Sequence, residues 1–353
     1  MGRRVHGWSA AVLAFALLFL PASRGRISRI PSIGALTQAA PVIVVGEVLK
    51  VEQRGVGELT AEDGQHYPAK RMAATVRVDE VPKGDVAGQV LQVDYLQNPD
   101  WERGPLTNSL AERTYGMMFL QVTADKYGFA ASESSSMPMS RNRAALPQPP
   151  GPDVYTRVLQ HLAEALFSTE DTSLDRVLAI SIITHEASPF VTELFRSALD
   201  GPAAASDPNL RLYLLAALVS RKDTSVVPVL EAALFSIQGP RYVNARQNMI
   251  LALQQIDAAT AAPILVRALK LPESELRMYA AMALKQTPGD VAIDGLLAAI
   301  DDPDPNAQFQ VIEALSYLLH QPFCLSSEIP CASRRACLDH WREFAATRKS
   351  TDH

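Results

Sequence analysis

Residues 301–308 read Asp-Asp-Pro-Asp-Pro-Asn-Ala-Gln, an acidic, proline-rich turn that directly precedes an apolar stretch. Proline also marks three earlier turns, in the pairs Asp207-Pro208, Gly239-Pro240 and Leu271-Pro272. Each of these turns lies between two apolar segments of helical length. The same helix–turn–helix arrangement therefore occurs several times in the second half of the chain.

The apolar segments return at a nearly constant spacing. The residues that end the first helices are 33, 35, 35 and 31 positions apart: Leu166, Leu199, Leu234, Leu269 and Ile300. Those that end the second helices are 35, 31 and 31 positions apart: Leu218, Leu253, Leu284 and Leu315. Two amphipathic helices in every 31–35 residues predict an α-solenoid.

This pattern resembles the HEAT-repeat (armadillo-like) proteins over about 154–345, with five repeats in 154–320. The arginine that follows the turn in that family stands here at Arg211, Arg246 and Arg277. Gln308 replaces it in the last repeat, and in the first repeat Asp175-Arg176 is out of register. The resemblance implies an all-α solenoid that serves as a binding surface.

The three arginines have two interpretations. They would bind an anionic ligand as a basic series, or they would pair with acids in their own or the preceding inter-helix turn, such as Asp207, Glu273 or Asp304. The second is favoured, because a charge at a fixed repeat position most simply serves the repeat itself. Residues 151–353 carry 24 acids and 17 bases, which argues against an anionic polymer as ligand.

The first half of the chain has a different pattern. Residues 36–131 hold five short apolar runs of strand length, separated by turn residues such as Pro82-Lys83-Gly84. This predicts a small all-β, five-stranded barrel-like domain before the solenoid. The order of parts weakly resembles the netrin/tissue-inhibitor type of small barrel, without its cysteines, so protease inhibition is not implied.

Two segments without a core pattern flank the predicted β-domain. Residues 1–23 hold Arg3 and Arg4, the apolar run Ser9–Leu20 and then Pro-Ala-Ser, which predicts a cleaved signal peptide and a secreted or periplasmic protein. As a helix, twelve residues rise only about 18 Å, so no stable membrane span is expected. Residues 132–153, rich in Ser and Pro, are predicted to be a linker, or alternatively a long loop crossing the barrel.

The three cysteines, Cys324, Cys331 and Cys337, all lie in a predicted C-terminal cap, residues 321–353. With His340 they would make a Cys₃His zinc set, but the close Cys-x₂-Cys pair typical of zinc sites is missing. A disulfide of Cys324 with Cys331 or Cys337 is the favoured interpretation in an exported chain. No metal and no cofactor are expected.

No catalytic motif is found in the sequence. A net charge of −5 does not favour nucleic acid as a partner. We therefore expect a non-catalytic scaffold or adaptor that binds a protein; the alternative is an exported hydrolase with an unidentified site in the β-domain. Oligomeric state stays open.

The predicted contact surface is a row on the flank of the second helices. With Leu210, Leu214 and Leu218 facing the core, equivalent flank positions in successive repeats are Tyr213, Asn248, Tyr279, Phe309 and Gln310. Uncharged aromatic and amide side chains of this kind are typical of interface cores. The alternative is that they pack between adjacent repeats.

Overall fold

The structure is a computed structural model that describes residues 31–60, 64–99, 107–124, 126–131, 135–141, 146, 153–170, 173–321 and 334–351. The chain forms two compact units, Met1–Leu194 and Phe195–His353. The predicted signal peptide, residues 1–23, lies outside the described residues.

Within the described residues, the first unit holds a six-stranded sheet. The strands are β1 (Val42–Thr60), β2 (His66–Lys83), β3 (Val90–Gln97), β4 (Tyr115–Thr123), β5 (Lys126–Phe129) and β6 (Ser136–Pro138). β1 pairs antiparallel with both β2 and β4, and β5 lies between β4 and β3. The ring of five strands closes through two parallel pairs of β3 with β5, Val93–Tyr127 and Asp94–Gly128. The all-β region is confirmed, although the ring is not a regular barrel.

The hairpin of β1 and β2 is much longer than the apolar runs predicted. Its antiparallel pairing extends from Ile43–Lys83 to Thr60–His66. In the outer part of the hairpin, which begins after Val48, the side chains of β1 are half-buried or exposed, and Val56 is 78% exposed. Since β1 buries none of its side chains in this part, it carries no apolar alternation from which a strand is predicted.

The interior of the ring is filled by alternating apolar side chains, among them Val44, Val76 and Val93, all completely buried. Gly116 lets β4 and β6 approach closely, because a Cβ there would collide with the carbonyl of Met137. β6 lies inside the predicted linker, residues 132–153. That part of the linker prediction is wrong, since Met137 is buried and its strand pairs with β4.

The sheet and the first helical repeat lie in the same compact unit. α1 (Ile33–Ala39) packs against α2 (Val154–Ala163), which continues as a 3₁₀ turn, Glu164–Phe167, before α3 (Ser173–Ile183). The buried carboxylate of Glu186 accepts hydrogen bonds from Ile33 N at 2.8 Å and from the Tyr155 hydroxyl at 2.6 Å. The compact division therefore falls near Leu194, within the helices, rather than in the predicted linker.

Helices make up the described part of the second unit. They are α4 (Pro189–Leu199), in which the division falls, and then α5 (Pro202–Ser206), α6 (Pro208–Ser220), α7 (Val227–Ser236), α8 (Val243–Leu253), α9 (Ala258–Ala268), α10 (Ser274–Leu284), α11 (Asp290–Ala298), α12 (Pro305–Leu318) and α13 (Arg334–Thr351). The second helices of successive repeats, α6, α8, α10 and α12, pack side by side in that order. The predicted all-α solenoid is confirmed.

Asp-Pro turns begin two of the second helices for a local reason. Asp207 Oδ1 accepts hydrogen bonds from the backbone N–H groups of Asn209 and Leu210, at 3.0 and 3.2 Å. Asp304 caps α12 in the same way. The following proline lacks an N–H and has a helical φ, so it suits the first helical position.

α13 packs against α11 through one buried side and two arginines. Trp341 is completely buried and Cys337 is 1% exposed. Arg342 and Arg348 bind Asp301 and Asp294 at 2.6 and 2.8 Å. Cys324 and Cys331 lie outside the described residues, so the disulfide stays a prediction.

None of the helices in the described ranges is both long enough and apolar enough to cross a membrane.

Candidate functional site

Arg246 joins its own repeat to the next one. It is completely buried, and its Nε donates to the carbonyl of Leu234, near the end of α7, at 3.0 Å. Its Nη1 donates to Glu273 Oε1 at 2.6 Å, in the inter-helix turn of the following repeat. We call this combination, a carbonyl of the same repeat and a carboxylate of the next, an arginine bridge.

Arg277 forms the second arginine bridge. Its Nε and Nη2 bind the two carboxylate oxygens of Asp302 at 2.7 and 2.8 Å, and its Nη1 donates to the carbonyl of Leu271 at 3.0 Å. Burial opposes ionisation of Asp302, but the hydrogen bonds from Arg277 and from Asp304 N outweigh it and lower the pKa of Asp302. Arg246 and Arg277 thus each pair with an acid of the following repeat, rather than with one in their own or the preceding inter-helix turn.

The remaining repeats show where this position varies. In the first repeat, Arg176 donates to the carbonyl of Ser168 at 2.6 Å, so it occupies the expected place although the sequence puts it out of register. Gln308 donates to the carbonyl of Ile300 at 2.9 Å and keeps the contact within its own repeat. No ion pair of the Arg211 side chain is found among the described residues.

The predicted contact row is only partly exposed. Tyr213 and Asn248 are 7% and 3% exposed, so the expectation that they line a free surface is wrong. α6 is apolar on all sides, and its side chains from Leu212 to Val219 are buried. Burial also raises the pKa of Tyr213. Asn248 turns its amide inward and donates to the carbonyl of Asn244 at 2.9 Å. Tyr279, Phe309 and Gln310 keep part of their surface in solvent.

An accessible surface does exist on α10 and α12, bordered by α8. Its apolar members are Met282, Phe309 and Tyr317, which are 38%, 37% and 54% exposed. We call it the second-helix face and define it by seven residues: Gln247, Tyr279, Met282, Lys285, Phe309, Glu313 and Tyr317. Of these seven, Tyr279 and Phe309 belong to the row of contact residues predicted from the sequence.

Polar contacts hold this face together across neighbouring helices. Lys285 on α10 binds Glu313 on α12 at 2.8 Å and lies 5.1 Å from the ring centre of Tyr317. The Tyr279 hydroxyl hydrogen-bonds Gln247 of α8, and burial raises the pKa of Tyr279, so the phenol stays protonated at neutral pH. Tyr279 and Tyr317 thus each interact with a polar side chain from a neighbouring part of the solenoid.

Met282 and Tyr317 were missed by the sequence reasoning, although a signal for them was present. Phe309, Glu313 and Tyr317 are spaced four residues apart, which places them on one side of a helix. The buried residues Ala307, Val311 and Leu315 lie on the opposite side of the same helix. Following the exposed side of α12, instead of one equivalent position per repeat, would have found Tyr317.

Among the described residues, no three His, Cys, Asp or Glu side chains are grouped as metal ligands would be. Cys324 and Cys331, two members of the Cys₃His alternative, are not among those residues.

Part of the helical region matches a known protein family. Residues 237–316, from the end of α7 to most of α12, match the family described as HEAT repeats. These helices are HEAT repeats. Among curated proteins none matches the chain. The matched residues include Arg246 and Arg277 with the carboxylates they bind, and all of the second-helix face except Tyr317, which lies one residue beyond the match. Leu234, whose carbonyl accepts from Arg246, precedes the match.

Proposed function

We propose that this chain is an exported, non-catalytic scaffold that binds a protein partner through the second-helix face of its HEAT repeats. The observation that carries the proposal is the cluster of exposed Met282, Phe309 and Tyr317 on neighbouring helices. Aromatic and Met side chains are enriched in protein interfaces, and Tyr is frequent among the residues that dominate binding energy.

The contacts around these side chains support binding rather than further intramolecular packing. Lys285 and Glu313 lie beside Tyr317 and neutralise each other, so they border the apolar cluster without adding net charge. Such a polar border around an apolar centre matches the organisation of protein interfaces. Stacked repeats also present such faces side by side, which suits an elongated partner.

The test places a photo-crosslinking amino acid at one position of the face and at one matched position elsewhere. Tyr317 on α12 and Val291 on α11 are both 54% exposed. We expect crosslinking in the native envelope fraction to give a discrete adduct from position 317 and none from position 291.

Affinity for the protein identified in that adduct then gives the quantitative test. Phe309→Ala and Tyr317→Ala should each weaken binding by about 1–2 kcal/mol. Val291→Ala should leave it unchanged, and all three variants should fold because the side chains are exposed. Wild-type affinity of the folded Phe309→Ala/Tyr317→Ala variant would refute this surface as the binding site.

Export is the second part of the proposal, and it rests on the sequence of residues 1–23. N-terminal sequencing of the mature protein should begin near residue 24; a mature chain that begins at Met1 would contradict export by cleavage. Thiol counting should find one free cysteine instead of three if Cys324 is bonded to Cys331 or Cys337.

A further inference from the structure

A polar pocket of about 420 Å³ lies within the first compact unit. The end of β2 and the turn after it supply residues 80–84, and α2 supplies Val154, Arg157 and His161. The three α2 residues follow at i, i+3 and i+7, so they share one side of the helix. The volume lies in the range of small-molecule sites.

Arg157 is the unusual member of this pocket. It is half-buried, and the one hydrogen bond of its side chain to a described residue is a long contact, 3.4 Å, from Nη2 to the carbonyl of Pro82. Its Nε is shielded from solvent and has no hydrogen-bond partner. A guanidinium carries five N–H donors, and a shielded donor without an acceptor is destabilising. The side chain is therefore held in the pocket with most of its donors unused.

Lys83, the other basic side chain of the pocket, is already engaged. Its Nζ donates to the carbonyl of Thr37 at 2.7 Å, at the end of α1. His161 Nδ1 lies 3.4 Å from Glu80 Oε2 and 3.3 Å from Glu164 Oε1, but it is shielded and forms a hydrogen bond with neither. Arg157 is therefore the cationic side chain of the pocket that has several donors to offer.

We propose that this pocket binds a small carboxylate, with the guanidinium of Arg157 as its main donor. A planar carboxylate can accept two parallel hydrogen bonds from one guanidinium, which would supply the unsatisfied Nε with an acceptor. Lys83, at the end of β2, also lines the pocket and adds positive charge.

The charges around the pocket favour a monoanion over a dianion. Arg157 and Lys83 are positive, Glu80 lines the pocket with a negative charge, and Glu164 places a second carboxylate 3.3 Å from His161 Nδ1. A singly charged carboxylate meets less repulsion from these two acids than a phosphate dianion would. This proposal is independent of the second-helix face, which lies in the other compact unit.

The experiment follows the Nε–H resonance of Arg157 by NMR in the full mature chain labelled with ¹⁵N-arginine. Acetate, N-acetylglycine and inorganic phosphate are titrated separately at constant ionic strength and pH. We expect a saturable shift with acetate in the millimolar range and a weaker effect of phosphate. Tighter binding of N-acetylglycine than of acetate would identify a peptide C-terminus as the source of the carboxylate, and equal binding a free organic acid.

Two variants control for the specificity of the shift. Arg157→Lys, which keeps the charge but loses the planar donor pair, should assign the resonance and weaken acetate binding at least tenfold by calorimetry. Arg54→Gln, on the exposed part of the β1–β2 hairpin, should leave binding unchanged. A linear, non-saturable shift with acetate, or tighter binding of phosphate than of acetate, would overturn the proposal.

Discussion

Removing the negative charge from the arginine bridge of Arg246 should destabilise the second unit strongly. In Glu273→Gln, the Arg246 guanidinium stays completely buried but loses the carboxylate 2.6 Å from its Nη1. Breaking a fully buried ion pair in this way typically costs about 3–5 kcal/mol. Glu273 is 24% exposed and the carbonyl of Leu234 still accepts from Arg246, so we expect a smaller loss of about 2–3 kcal/mol.

The thermal midpoint gives the first measurement. A loss of this size corresponds to a decrease of about 4–12 °C for a unit of this size. Asp301→Asn is the matched control, because it makes the same carboxylate-to-amide change in a pair whose side chains are 47% and 66% exposed. Surface pairs of that kind contribute little, so its midpoint should hardly move.

A double variant separates the buried charge from the lost contact. Arg246→Met/Glu273→Gln removes the charge that Glu273→Gln leaves uncompensated, and most of the lost stability should return. Urea midpoints should show the same order as the thermal ones. Two results would refute this explanation: Glu273→Gln as stable as Asp301→Asn, or the double variant less stable than Glu273→Gln. Either one would mean that the uncompensated charge of Arg246 is not the cause of the destabilisation.

Three further variants test the packing and the electrostatics of the same unit. The Asp302 carboxylate has a lower pKa in the folded chain than its ordinary value of 3.8, so it stabilises the fold above pH 3.8 and loses this contribution as the pH falls through the folded-state pKa. Asp302→Asn removes this contribution. The thermal midpoint of the variant should therefore lie below that of wild type at neutral pH, and the difference should shrink in acid. Gly295→Ala should cost about 1–2 kcal/mol in urea unfolding, because its Cβ would collide with both γ-methyl groups of Val266, and this cost should be smaller when it is introduced into a Val266→Ala background. Tyr213→Ala should cost about 3–5 kcal/mol by the same measurement, since the ring is buried; a loss near zero would mean that it is not packed in the core.

The helical half of the molecule could be predicted because its information is local. The Asp-Pro turns cap the helices through their own side chains, and the spacing of the apolar residues follows from one repeat packing on the next. The burial of Tyr213 could also have been predicted. Nearly all of residues 210–219 are apolar, and a helix that is apolar on every side is buried.

The rest depends on contacts between residues distant in the sequence. Pro82 and Arg157 are 75 residues apart in the sequence. Neither the sequence around Pro82 nor that of α2 around Arg157 indicates that the two residues are in contact. The outer part of the β1–β2 hairpin is equally hard to predict, because backbone hydrogen bonds hold it while β1 buries none of its side chains there. In both cases the deciding interaction is absent from any short window of sequence.

The direction of the arginine bridges has a consequence for how such an array can grow. Each bridge takes its arginine from one repeat and its carboxylate from the next, so a unit copied within the array finds both partners already in place. At the last position Gln308 is neutral and satisfied by its own repeat. A repeat added after α12 would find Gln308 where the bridging arginine stands in the earlier repeats. The carboxylate in its inter-helix turn would then have no counter-charge at that position. Duplication is therefore tolerated inside the solenoid and penalised at its end, unless Gln308 first changes to arginine.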